Sequence, residues 1–155
     1  MTADNPLFAP GTVVNWLNST YRILLTEPDG RVGMFEAVVP PGYGPPQHIH
    51  HGEDEIIYII EGSVRFMLDG KIVDHATGDL IFVPRGKKHA FTVTGANPAR
   101  FITTVTPGGF ECFFAAAAER NLKLPQDIGE LASIGQRFNV EFNGPPLAVA
   151  EGRAA

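Results

Sequence analysis

Cysteine is nearly missing from this chain. Cys112 is the single thiol among 155 residues, which excludes an intramolecular disulfide framework and fits a reducing compartment. No apolar run approaches the ~20 residues that a membrane-spanning helix needs. The opening MTADNPLFAPG lacks the basic start and apolar centre of a secretory signal, so the expected address is cytoplasmic. Positive charge is also in short supply. Twelve Lys and Arg stand against seventeen Asp and Glu, for a net charge of -5, which argues against nucleic acid or an anionic membrane as the main partner.

Turn residues, by contrast, are plentiful. Seventeen glycines and thirteen prolines are spread through a chain that is 44% hydrophobic and 19% charged. That length and composition suit one β-rich domain with many turns. From about residue 10 to 106, short β-branched and aromatic segments alternate with Gly, Pro, Asp and Asn. TVVNWL, YRILLTE, RVGMFEAVV, EIIYII, SVRFML, KIVDH, DLIFVP, HAFTVT and ARFITTV each read as a strand. Asp-Gly in PDGR (28–31) and LDGK (68–71) marks hairpin turns. Many short strands with no helix between them imply an antiparallel barrel or sandwich. After PGG (107–109) the period changes. Phe110, Phe113, Phe114 and Ala117 share one helical face, and Ile128, Leu131, Ile134 and Phe138 share another. The closing NVEFNGPPLAVAEGRAA reads as a short extended piece and a loose tail.

Three of the five histidines and three acids crowd into residues 48–55. On a strand, His48 and His50 share one face while His51 points away, and after a turn at HGED, Glu55 enters the next strand facing the same interior. Two imidazoles and a carboxylate on converging backbone can ligate a divalent transition metal. The same pattern also occurs in solvated acidic loops. A second stretch, GDLIFVPRGKKHAFTV (78–93), turns on Pro84 and Gly86 and presents His89 at the start of a strand.

Together the two stretches read Gly42-x5-His48-x-His50-x4-Glu55-x6-Gly62 and Gly78-x5-Pro84-x-Gly86-x2-His89. This spacing resembles the two motifs of the cupin superfamily. Nine of ten fixed positions match, and the tenth, usually Asn, is Val93. The resemblance implies a mainly β fold, a cupin-type double-stranded β-helix (jelly-roll barrel) over 1–106, with a short C-terminal helical extension and tail over 107–155 packed on the same domain. It also implies that His48, His50, Glu55 and His89 bind a divalent transition metal. Fe, Mn, Ni, Co, Cu and Zn all suit such a donor set.

The single-domain, quercetin 2,3-dioxygenase-like cupins are similar in carrying a PGGF-type turn, here Pro107 to Phe110. That resemblance implies a metal-dependent dioxygenase cleaving a flavonol, enol or catechol-type substrate with O2, with Glu55 as the catalytic base. The alternatives are a metal-dependent isomerase, lyase or polyketide cyclase without O2 chemistry, and a non-enzymatic small-molecule-binding cupin. Ile57, Phe66, Phe91 and Val93 are the expected substrate-binding residues, giving an apolar wall beside the metal. Ile56, Tyr58 and Ile60 face outward yet are apolar, so they call for cover by the C-terminal helices or by a second subunit, and a homodimer is expected. Ala90, Thr92 and Thr94 are expected on a more solvated outer face. Glu53 and Asp54 are expected in a solvated turn, and His51 and His75 at the surface.

Overall fold

The computed structural model describes residues 9–153. Most of the segment read above for a secretory signal, residues 1–8, lies outside the described residues, as do 154–155. Eleven strands form two antiparallel sheets. One sheet runs in the order β1 (Val13–Trp16), β2 (Ser19–Thr26), β3 (Gly33–Val39), β10 (Ala99–Thr106), β5 (Asp54–Glu61) and β8 (Leu80–Val83). The other runs β11 (Val140–Pro146), β4 (Pro46–His50), β9 (Lys88–Val93), β6 (Ser63–Leu68) and β7 (Lys71–Ala76). This is the expected mainly β, two-sheet barrel. Buried residues alternate along β3, β4, β5 and β10, as Glu55, Ile57 and Ile59 do on β5.

Local chemistry accounts for the turns. Asp69 and Gly70 both take positive φ, +50° and +81°, in a two-residue loop closing Leu68 against Lys71. That backbone suits the right-handed twist of a hairpin and favours Asp-Gly. The β1–β2 hairpin uses the same device without glycine, with Leu17 at +46° and Asn18 at +61°. That turn carries no glycine signal, and TVVNWL alone does not reveal it.

Beyond β10 the described residues form three short helices. A 3-10 turn at Phe110–Cys112 leads into α1 (Phe113–Ala118), and α2 (Ile128–Arg137) and α3 (Leu147–Ala150) come later. Phe110, Phe113, Phe114 and Ala117 are all buried, whereas α2 buries Leu131 and Ile134 but leaves Ile128 exposed. No described helix is long and apolar enough to cross a membrane.

Two features differ from the sequence reading. The expected extended piece is the strand β11, paired with β4 so that Phe142 lies opposite His48 and Val140 opposite His50, but the expected loose tail begins with α3 instead. The helices also cover a different face from the one expected. Leu147 of α3 packs with Met67 and Ala90 outside the second sheet, so Ala90 is buried rather than solvated, and Thr92 is buried too. The outer face of β5 stays open instead, with Tyr58 46% exposed beside Leu80 at 60% and Phe82 at 52%.

Candidate metal centre

His48, His50, Glu55 and His89 meet inside the barrel. His48 and His50 share the inward face of β4, and antiparallel register sets His48 directly opposite His89 on β9. Glu55 arrives from β5 in the facing sheet. All four side chains are buried, and one ligating atom from each lies within 4.8 Å of the others. Metal–ligand bonds of ~2.1 Å place neighbouring donors roughly 3 Å apart and opposite ones roughly 4.2 Å apart, so the cluster has the size of a coordination sphere.

Hydrogen bonds orient the rings. His48 Nδ1 lies 2.7 Å from the Pro46 carbonyl and His89 Nδ1 lies 2.9 Å from the Lys87 carbonyl. A carbonyl can only accept, so each Nδ1 carries a proton and each Nε2 is left to face the cluster. His50 Nδ1 donates likewise to the Glu53 carboxylate.

Glu55 Oε2 lies 2.8 Å from His89 Nε2 and 3.4 Å from His50 Nε2. Yet His50 Nε2 and Glu55 Oε2 are buried without an aligned hydrogen-bond partner among the described residues. Unpartnered buried polar atoms are costly. Donor atoms that crowd together without bonding one another fit a shared cation, and the three histidines and glutamate suit a divalent transition metal.

The charge states of His48 and Glu55 agree with that role, while His50 is drawn toward its acidic neighbours. Burial, with His89 and His50 nearby, pushes His48 well below the usual imidazole range, leaving it neutral. Burial would raise the Glu55 carboxyl, but His50, His89 and His48 outweigh it and hold the group at about 2. Burial would lower His50, but Glu55 and Glu53 together hold it above its ordinary value.

A cavity of about 50 Å3 borders the cluster. Its wall is mostly aromatic: nine of its fifteen lining residues are Trp, Tyr or Phe, while His48, His89 and Glu55 reach it from the metal side. Ile57 and Phe91 line it. Phe66 and Val93 lie in the surrounding core instead, with Phe66 paired to Phe91 and Val93 paired to Val64 across β6 and β9. Sequence patterning did not point to Trp16, Tyr21, Phe35, Phe110, Phe113 or Phe142 as cavity wall. They come from β1, β2, β3, the region after PGG, and β11, and only the closed fold brings them together.

Glu53 also departs from expectation. It is 5% exposed and bonded to His50 rather than solvated. Its position three residues after His50 was the available signal. Asp54 instead pairs with Arg85 at the half-open rim. Outside the barrel, His51 is exposed and pairs with Glu141, and His75 is half-buried near Asp79.

Residues 35–105 match the cupin domain family, Cupin_2. A curated relative, the tetracenomycin polyketide synthase protein TcmJ of Streptomyces glaucescens, is 33% identical over 67 residues, 43% of this chain and 45% of its own length. The oxalate-binding protein of Thermotoga maritima is 36% identical over 67 residues, 43% of this chain and 55% of its own. The solved structure of the polyketide cyclase RemF from Streptomyces resistomycificus has a TM-score of 0.51 and 34% identity, covering 63% of this chain and 68% of that one. This chain spans between 33% and 58% of the length of the curated relatives it matches.

Proposed function

This chain belongs to the cupin superfamily, and we propose that it is a metal-dependent enzyme acting on a compact enolic or phenolic molecule, by cyclisation or isomerisation of the kind a polyketide cyclase performs. The observation that carries this reading is an aromatic-walled cavity bordered by the His48–Glu55–His89 edge of the cluster. Relatives named for polyketide synthesis support it, namely RemF, TcmJ and the polyketide synthase protein CurC of Streptomyces cyaneus.

His48, His50, His89 and Glu55 would hold a divalent ion, which when bound supplies Lewis acidity toward a substrate oxygen. The protein's own groups do the rest. The aromatic walls orient a planar ring and keep water out. Glu55 remains ionised across the neutral range and lines the cavity, where it can accept a proton from a ligand hydroxyl. At about 50 Å3, the cavity holds a few waters and falls well below the ~300 Å3 at which common ligand pockets begin. Small ligands fit as it stands, and larger ring systems require the phenylalanine walls to move.

Oxygen-dependent ring cleavage of the quercetin 2,3-dioxygenase kind is the second reading. The apolar cavity wall favours it by admitting a small apolar gas such as O2. Incubating metal-loaded protein with flavonols, catechols and enolisable polyketides, with and without oxygen, separates the readings. Product formed anaerobically supports cyclisation or isomerisation, and product coupled to oxygen uptake supports dioxygenation. Stoichiometric binding with no product under either condition refutes both and leaves a binding protein.

The open apolar face of β5 and β8 supports the further reading that the protein works as a homodimer.

A further inference from the structure

The three candidate ligand imidazoles are not held alike. His48 and His89 each donate Nδ1–H to a neutral backbone carbonyl two residues earlier, whereas His50 donates to the carboxylate of Glu53. Glu53 is itself withdrawn from water, at 5% exposure on the turn between β4 and β5. An acid in such a place needs a compensating charge.

A dication with three neutral imidazoles and one carboxylate would leave a net positive charge in this buried site, and the Glu53 carboxylate cancels it. We propose that Glu53 is a positioning and charge-balancing residue. It fixes the His50 ring with Nε2 toward the ion, and its negative charge strengthens retention of the dication while weakening the binding of anions beside it. The inference rests on the metal reading above. It differs from a purely structural role in one respect: loss of the charge moves cation and anion affinity in opposite directions.

The decisive variant is Glu53→Gln, which keeps an oxygen to accept the His50 proton and keeps the size of the side chain, but carries no charge. Glu119→Gln removes the same charge at an exposed site and serves as control. Co(II) affinity is measured by competition with a chromophoric chelator, and azide affinity by titrating the visible spectrum of the Co(II)-loaded protein. Glu53→Gln is expected to bind Co(II) ~10–100-fold more weakly, yet its loaded form binds azide roughly tenfold more tightly. Glu119→Gln changes neither.

Weaker Co(II) binding with unchanged or weaker azide binding reduces Glu53 to a structural residue and overturns the proposal, as does unchanged Co(II) affinity. If Glu53→Gln fails to fold, Glu53→Asp carries the test. It keeps the charge but shortens the reach, so weaker Co(II) binding with wild-type azide affinity supports the proposal, and tighter azide binding overturns it. Wild-type protein that takes up no Co(II) overturns the metal reading itself, a result distinguishable from a wild type that binds and a variant that binds equally well.

Discussion

Stripping the protein with a chelator and restoring a divalent ion should raise its thermal midpoint by a calculable amount. Without a cation the chain should stay folded, because the strands that carry the four side chains are paired in two sheets over an apolar core. The gain on loading is then set by mass action. At a free metal concentration 100 times Kd it is ~2.7 kcal/mol. A domain of this length moves by ~2–4 °C per kcal/mol, giving a rise of roughly 5–11 °C. Metal competes with protons for the same Nε2 atoms, so the rise should shrink as pH falls into the histidine range. Differential scanning fluorimetry of wild type, His48→Ala and His51→Ala reads the result. His48→Ala should fold but lose the shift. His51→Ala removes only the exposed pair with Glu141 and should keep it. An equal shift in wild type and His48→Ala would place the ion elsewhere and refute the reasoning.

Three further outcomes follow from burial and charge. Phe113 is enclosed by Trp16, Phe110, Phe114, Phe138 and Phe142 at ring separations of 5.2–5.8 Å, so Phe113→Ala should cost ~3–5 kcal/mol by denaturant unfolding; a loss below about 1 kcal/mol would mean the wall collapses around the gap. Burial pushes the Cys112 thiol from 9.0 to about 11. Native protein should therefore resist iodoacetamide at neutral pH and react only once unfolded. Because the folded chain keeps this proton longer than the unfolded one, the stability Cys112 contributes is full below pH 9 and lost as pH rises toward about 11. If the exposed Tyr58, Leu80 and Phe82 face another copy, light scattering should give a dimer, and Leu80→Asp with Phe82→Glu should convert it to a folded monomer.

The sequence told most where chemistry is local. Alternation of β-branched residues marked nine of the strands, and Asp69-Gly70 marked its hairpin. The four candidate ligands were legible because period two fixes the faces of His48, His50 and Glu55, and because the second stretch supplied His89. What escaped notice depends on distant partners. PQHIH lacks the apolar signature of a strand and merged with its successor. The segment VEFNGPP is legible as an extended piece, but its glycine and two prolines give no sign that it pairs with β4 at a sheet edge. Glu53 sits in a polar run that looks solvated, but Phe110, nearly sixty residues later, packs edge-on at 4.3 Å against the ring Glu53 holds. Ala90 reads as part of a wet outer face because nothing near it in the sequence announces that Leu147 covers it. Alternation shows which side chains point the same way, not what lies beyond them.

The pairing of β11 with β4 has a consequence for the order of assembly. The strand bearing His48 and His50 meets β9 along one edge, but its other edge is closed by residues 140–146, about ninety positions further on. Until that late strand docks, the backbone beneath two of the imidazoles has a bare margin, and Phe142 is not yet opposite His48. The six-stranded sheet needs nothing beyond Thr106 and can form early, while the pocket reaches its working shape only when the chain returns to finish it.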